Sequence, residues 1–341
     1  MDKKLKVLFL CKRRLDDYGN SSGLFNSANF VVSYLNSKGI EAKAMMLQDS
    51  NRIDKEVKDY DPTHVIIEAI WVTSGKMREL MSLKRHHNRQ WIIRIHSKLP
   101  FLANEGIAFS WMNEYSELCE TFSNFAVAPN NDEVTHDLRK VLGLRTVYLP
   151  NIYVLVDYCD KVPEKKDEQF IDIGCFGAIR PMKNHLIQAI AAIKFANKIG
   201  KTLRFHINGG RYEQRGEQVH KNLKALFDRK EHILIEHQWA AHSKFMCFMK
   251  DVDIGLQVSL SETFNIVAAD LVSNNIPVVG SHEISWLSRF FKADPNSSSD
   301  IAAALLFVYK VKRFNLHYLN NFYLFCYNFI AKRKWLKFLE A

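Results

Sequence analysis

The stretch Val258–Gly280, VSLSETFNIVAADLVSNNIPVVG, most limits what this chain can fold into. Ile254 to Leu260 is an apolar run too short for most helices, and it fits a buried strand. Ser259 and Ser261 break it into a loop, and either is suited to cap the helix that follows. Phe264, Val267, Ala268, Leu271 and Val272 recur at helical spacing. Asn274 and Asn275 suit a helix C-terminus, and Pro277-Val-Val-Gly280 leads into another strand.

This order predicts a parallel α/β sheet, with Glu262 in a loop at the C-terminal end of a strand. Ligands of open α/β sheets bind at such loops. The backbone N–H groups of Thr263, Phe264, Asn265 and Ile266 would face outward at the helix start, where anions bind. Asp270 lies eight residues beyond Glu262, about two turns into the helix, and would face the same ligand. Two carboxylates around an anion site suit a molecule with hydroxyls at both ends and phosphates between, the shape of a nucleotide sugar. A buried strand–helix unit with a capping loop fits the same pattern.

Other segments repeat the alternation of apolar strand and helix. Lys6–Cys11, Ile40–Met46, Thr63–Ile70, Trp91–His96 and Phe125–Ala128 read as strands in the first part of the chain. Phe170–Phe176, Leu203–Asn208 and His232–His237 do so in the second. The polar run Lys161–Gln169 marks the boundary, giving domains 1–160 and 161–315 and a final segment 316–341. The loop holding Gly19, Asn20, Ser21, Ser22 and Gly23 is small and polar, so its backbone can approach a substrate or simply turn. It lacks the G-x-G-x-x-G of dinucleotide sites. His96 closes a strand and should sit at the ligand edge of its sheet. Asn104 and Glu105 suit either an acceptor contact or a turn that starts a helix. Arg180 and Lys183 are three apart at a strand–helix junction, where Arg forks onto phosphate oxygens and Lys acts as a point charge.

The 258–280 stretch resembles the E-x7-E motif of retaining glycosyltransferase family four, which has the GT-B fold. Three positions depart from the family wording: Asp270 replaces the second Glu, Asn265 a Gly, and Asn275 another Gly. Asn tolerates left-handed backbone better than most residues. The loop Gly177–His185 is similar to the family's basic donor loop, Gly209 to its glycine near the nucleotide, and the region of His237 to its base-contacting strand. The resemblance implies two Rossmann-like domains facing across a cleft, with a C-terminal helix crossing back to the first. It implies transfer, with retention, of a hexosyl or pentosyl group from a nucleoside-diphosphate sugar, UDP favoured, to an acceptor hydroxyl. Arg180 and Lys183 would stabilise the leaving diphosphate, Glu262 would hold the sugar, Asp270 the ribose, and His96 would face the reacting sugar. Residues 64–71 and 93–106 look like bacteriophage-encoded glycosyltransferases, which implies a hydroxymethylated base in phage DNA as acceptor and the host cytoplasm as location. A lipid or surface-polysaccharide acceptor, or a non-catalytic relative that binds nucleic acid or membrane, are the other readings.

Charge and composition narrow the partners. The net charge is +10, and residues 310–341 carry seven Lys/Arg against one Glu, so the excess is local rather than chain-wide. That basic end would meet DNA or anionic lipid, or it would be the crossover helix with its aromatics packed. No apolar run approaches the ~18 residues of a spanning helix. The six cysteines form no C-x-x-C and read as reduced residues of an intracellular protein. Asp251-Val-Asp253 has the D-x-D form of metal-binding glycosyltransferases but leads straight into a strand, so no metal or other cofactor is expected.

Overall fold

A computed structural model describes residues 4–13, 23–154, 167–228 and 231–340, and the chain divides into two compact units. The described residues of the first unit are 4–13, 23–154 and 328–340; those of the second are 167–228 and 231–327.

The first unit is built on a parallel sheet of five strands: β1 Lys6–Lys12, β2 Glu41–Leu47, β3 His64–Glu68, β4 Gln90–Ile95 and β5 Phe125–Pro129. Their order is β2-β1-β3-β4-β5. Parallel strands are covered on both faces, and the sequence shows it: Val7–Leu10, Val65–Ile67 and Ile93 have no exposed surface. Trp91, Tyr115 and Phe125 fill the core beside them. After β5 the chain runs alongside it from Arg145 to Leu149, with a bridge from Thr146 to Val127 and Leu149 N–H donating to Pro129 O at 3.1 Å, and turns away at Pro150.

The end of the chain completes this core. The last helix runs Leu319–Leu339. From Asn328 onward it belongs to the first unit and buries Ala331, Trp335 and Leu339. The Trp335 indole N–H donates to Pro150 O at 2.8 Å, and its ring lies 5.7 Å from that of Phe9. A tryptophan buried with its N–H satisfied contributes both apolar area and a fixed orientation.

The second unit has a six-stranded parallel sheet. Its strands are β6 Phe170–Gly174, β7 Thr202–Gly209, β8 Ile233–Gln238, β9 Ile254–Gln257, β10 Val278–Ser281 and β11 Lys292–Ala293, in the order β11-β10-β9-β6-β7-β8. The chain builds outward from β6 through β7 to β8, then returns to the other side of β6 with β9. Strand order therefore reverses between β6 and β9. Loops that leave the C-terminal ends of two such strands diverge, and the crevice between them is where α/β sheets bind ligands.

Cys11, Cys119, Cys175 and Cys326 are free thiols. Cys247 is disulfide-bonded, which corrects the expectation that all six are reduced. Cys159 lies outside the described residues, as do Gly19, Asn20, Ser21 and Ser22.

Candidate active site

The reversal point of the second sheet brings the two predicted donor loops together. The loop after β6 carries Arg180 and Lys183, and the loop after β9 carries Glu262. Lys183 Nζ donates to Glu262 Oε2, and both side chains are nearly buried. Burial opposes the Glu262 charge, but the Lys183 and Arg180 cations, the Lys183 hydrogen bond and the Thr263 backbone N–H outweigh it. The carboxyl is held below its usual range and stays ionised. Arg180 Nη1 donates to Glu213 Oε2 at 2.8 Å, and Glu213 also takes Arg211 at 2.9 Å.

Both loops are fixed by amide side chains that periodicity did not single out. Asn184 sits in left-handed backbone at φ 60° and donates to Val258 O at 3.1 Å and Pro295 O at 2.7 Å. Gln188 donates to Lys183 O and accepts from Val258 N–H, each at 2.7 Å. Leu260 N–H donates to Met182 O at 2.9 Å. Gly177, at φ 119°, has a backbone shape open to glycine, and its N–H donates to Asn208 Oδ1 at 2.8 Å. His185 is fully buried at the start of the helix His185–Ile199; burial first, then the Lys183 and Arg180 charges, push its pKa down to about 3.

Asn265 explains one departure from the family wording. Its φ is 57°, the left-handed backbone a glycine would adopt. Asn265 also caps the helix Ile266–Ser273, accepting from Ala268 N–H at 2.9 Å, and donates to Gln257 Oε1 at 3.1 Å and Glu262 Oε2 at 3.2 Å. The cap is thus Asn265 rather than Ser259 or Ser261, and Phe264 precedes the helix. Phe264 is buried, with its carbonyl accepting from the Trp286 indole at 2.6 Å. Asn275, in the other glycine position, likewise has φ 59°. We expect Asn265→Ala to destabilise the second unit by about 1–2 kcal/mol in urea unfolding, and Asn265→Gly by only a few tenths. Equal costs would mean that the side-chain bonds, not the backbone, decide the position.

Asp270 is the fifth residue of that helix, little more than one turn in, rather than two. It is buried, and its carboxylate accepts from His242 Nε2 at 3.0 Å. Burial lowers the His242 pKa, but the Asp270 hydrogen bond and charge outweigh it and raise the value. Gly209 ends β7, close to the Glu236 carboxylate. His237 on β8 belongs to a side-chain chain across the sheet. His206 Nε2 lies 2.8 Å from Asp172 Oδ1, and His206 Nδ1 lies 2.9 Å from His237 Nε2. His237 stacks on Phe248 at 4.6 Å, and burial with the neighbouring His206 pushes its pKa down to about 4. Asp172, His206 and His237 thus form one hydrogen-bonded chain across the sheet.

In the first unit, His96 follows β4 and is tied to a buried polar group. Glu68 Oε2 takes His96 Nε2, and Asn130 Nδ2 lies 3.5 Å from His96 Nδ1. Burial lowers the His96 pKa despite the Glu68 charge, so the ring is neutral, with Nε2–H on Glu68 and Nδ1 accepting. Arg94 donates to Glu68 at 3.1 Å, to Asn151 Oδ1 at 2.6 Å and to Leu149 O at 3.2 Å. Glu68 and Arg94 were readable in principle, as opposite charges inside two neighbouring apolar runs. Asn104 and Glu105 are exposed after the short helix Leu99–Leu102, with Asn104 Nδ2 donating to Pro100 O at 2.9 Å. Gly23 opens the helix Gly23–Ser37, with open space where a Cβ would stand.

The D-x-D residue Asp253 is engaged locally: Oδ2 accepts from Asp172 N–H at 3.0 Å, and Oδ1 lies 3.7 Å from Lys312. Among the described residues, no group of three His, Cys, Asp or Glu side chains is placed to hold a metal.

No protein-family model matches the chain, and neither does any curated protein sequence. Solved structures do match. A sucrose-phosphate synthase from Thermosynechococcus elongatus has a TM-score of 0.73 and 12% identity over 98% of both chains. An E. coli trehalose-6-phosphate protein bound with UDP-2-fluoro glucose has a TM-score of 0.71 and 10% identity, covering 98% of this chain and 99% of that one. Anabaena HepE in complex with UDP and glucose has a TM-score of 0.62 and 14% identity, covering 97% and 95%. At such identities the likeness is one of fold. The protein has the GT-B fold, as the E-x7-E resemblance implied.

Proposed function

We propose that the protein is a glycosyltransferase that moves a sugar from a UDP-sugar to an acceptor hydroxyl, with retention. One observation carries the reading: Lys183 and Glu262, from the two loops that flank the reversal point of the second sheet, meet as a nearly buried pair with Arg180 alongside. Two structures of the same fold hold UDP or a UDP-sugar analogue, which supports a uridine nucleotide.

The roles follow from charge. The bond from the sugar to the diphosphate breaks with negative charge growing on the phosphate oxygen. Arg180 and Lys183 are cations fixed in advance at that position, which is the most effective kind of electrostatic stabilisation. The N–H groups of Asn265 and Ile266 at the helix start add to it. Glu262 accepts from sugar hydroxyls, and Asp270, held by His242, accepts from the ribose. The segments of Gly209 and His237 would pass near the nucleotide. His96, neutral and oriented by Glu68, would face the reacting sugar. No metal ion is part of this proposal.

The acceptor is a hydroxylated molecule. A hydroxymethylated base in DNA follows from the phage-type resemblance. A lipid-linked acceptor is favoured by a separate observation, the exposed aromatic surface described below. The test is a thermal-shift and slow-hydrolysis series with UDP-, GDP- and ADP-sugars, on the protein and on Glu262→Ala. A UDP-sugar at about 100 times its Kd should add about 2.7 kcal/mol of stability, and both shift and hydrolysis should vanish in the variant. Absence of any shift would remove the donor site and leave a non-catalytic binding protein.

A further inference from the structure

We propose that the turn joining the helices Ser298–Lys312 and Leu319–Leu339 docks on an anionic lipid bilayer. This surface lies in the second unit and goes beyond the donor reading.

The observation is a dense run of exposed apolar side chains. Phe314 is 63% exposed, Leu316 53%, Phe322 61% and Phe325 68%, all within one turn and the first residues of the next helix. Tyr318, Leu319 and Tyr323 are exposed among them. Single exposed apolar residues are ordinary on a protein surface; a contiguous group marks a contact surface. The segment is ordered by its other side. Asn320 is fully buried and its Oδ1 accepts from Ser288 N–H at 3.2 Å, and Leu324 is buried, so the phenylalanines point outward because the inward positions are taken.

Charge identifies the occupant. The chain has no Asp or Glu between Asp300 and Glu340, and Lys310, Lys312 and Arg313 stand directly before the run, Lys312 at 3.7 Å from Asp253. Lys310 and Arg313 are exposed directly before the run, and the Arg313 guanidinium lies 4.6 Å from the Phe314 ring. Aromatic and aliphatic side chains that enter the acyl boundary, flanked by cations at headgroup level, make up an interfacial membrane segment. A second copy of this surface fits poorly, since a self-complementary contact would bring the exposed Lys310 and Arg313 of both copies together. A nucleic acid fits less well than lipid, since exposed Leu316 and Leu319 offer no flat face to a base. No described helix is long and apolar enough to cross a membrane, so the docking is peripheral.

The test is co-sedimentation of the full chain with vesicles of phosphatidylcholine, alone or with about 30% phosphatidylglycerol. Binding should require the anionic lipid and weaken with salt. Phe314→Ser/Phe322→Ser/Phe325→Ser should lower partitioning by about tenfold or more, because each lost ring removes apolar area from the acyl boundary. Lys310→Gln/Arg313→Gln should lower only the anionic component. All five positions are exposed, and unchanged circular dichroism checks that each variant folds. Failure of the wild type to sediment, or undiminished binding of the triple variant, overturns the proposal. So does a dimer, or single-stranded oligonucleotide binding, that the triple variant abolishes while vesicles are ignored. No nucleotide sugar enters this assay, so its outcome is separate from that of the donor test.

Discussion

Arg94→Met should cost the first unit about 3–5 kcal/mol of stability, because it strands Glu68 as a buried, unpaired charge. Both side chains have no exposed surface. The guanidinium bonds Glu68, Asn151 and the Leu149 carbonyl, and it lies 5.2 Å from the Trp335 ring. Methionine can fill much of the volume but supplies no donor to any of these acceptors. Pairing with Glu68→Gln should recover a large part of the loss, since a neutral amide is far less costly to bury than a charge. Urea unfolding followed by tryptophan fluorescence measures both. A cost below about 1 kcal/mol would place the pair in the range of solvated surface bridges and contradict its burial. The same pair sets an acid limit. Burial opposes the Glu68 charge, but Arg94 and His96 outweigh it, so its folded-state pKa lies below the unfolded value. The stability it contributes is therefore present above the unfolded carboxylate range and is lost as pH falls through the folded value. In Glu68→Gln that part of the acid dependence should be gone.

The Glu68–Arg94 pair also shows what the chain reveals locally and what it hides. Strands such as Lys6–Lys12, His64–Glu68 and Ile254–Gln257 were legible because a strand covered on both faces must be a short apolar run, while the two-residue edge strand Lys292–Ala293 has no such signature. Asn265 and Asn275 were legible as left-handed positions, because few other residues adopt that backbone. Pairing is a different matter. Glu68 meets Arg94 and Lys183 meets Glu262 through strand order, and strand order is a property of the whole sheet. Sequence spacing alone therefore offered Ser259 or Ser261 as caps where Asn265 does the work. It placed Asp270 two turns into a helix that starts later, at Ile266. The last helix combined both cases: its aromatic spacing was visible, but Trp335 turns inward while Phe322 and Phe325 face solvent.

Lys183→Met should have the largest effect on sugar transfer, lowering kcat/KM by on the order of 10²–10³, about 2.7–4 kcal/mol of transition-state stabilisation. The loss should lie mainly in kcat, since the charge on the leaving diphosphate grows as the bond breaks and a fixed cation matters most there. The complication is that Lys183 also holds Glu262, so the variant combines a missing cation with a carboxylate left buried. Adding Glu262→Gln separates the two. The wild-type carboxyl is held below its usual range by Lys183 and Arg180, so it stabilises the fold above its unfolded pKa and ceases to do so as pH falls through the folded one. In Lys183→Met that support shrinks and the fold weakens near neutral pH. In Lys183→Met/Glu262→Gln the stranded charge is gone, and stability should return toward the wild type while transfer stays lost. Recovery of both would make Lys183 a structural partner of Glu262 only. Near-wild-type turnover in the single variant would show that the diphosphate leaves without it. Recovery of stability alone, with Glu262→Gln by itself keeping clearly more turnover than the double variant, would make Lys183 the cation that meets the leaving group, because that comparison removes only the Lys183 charge.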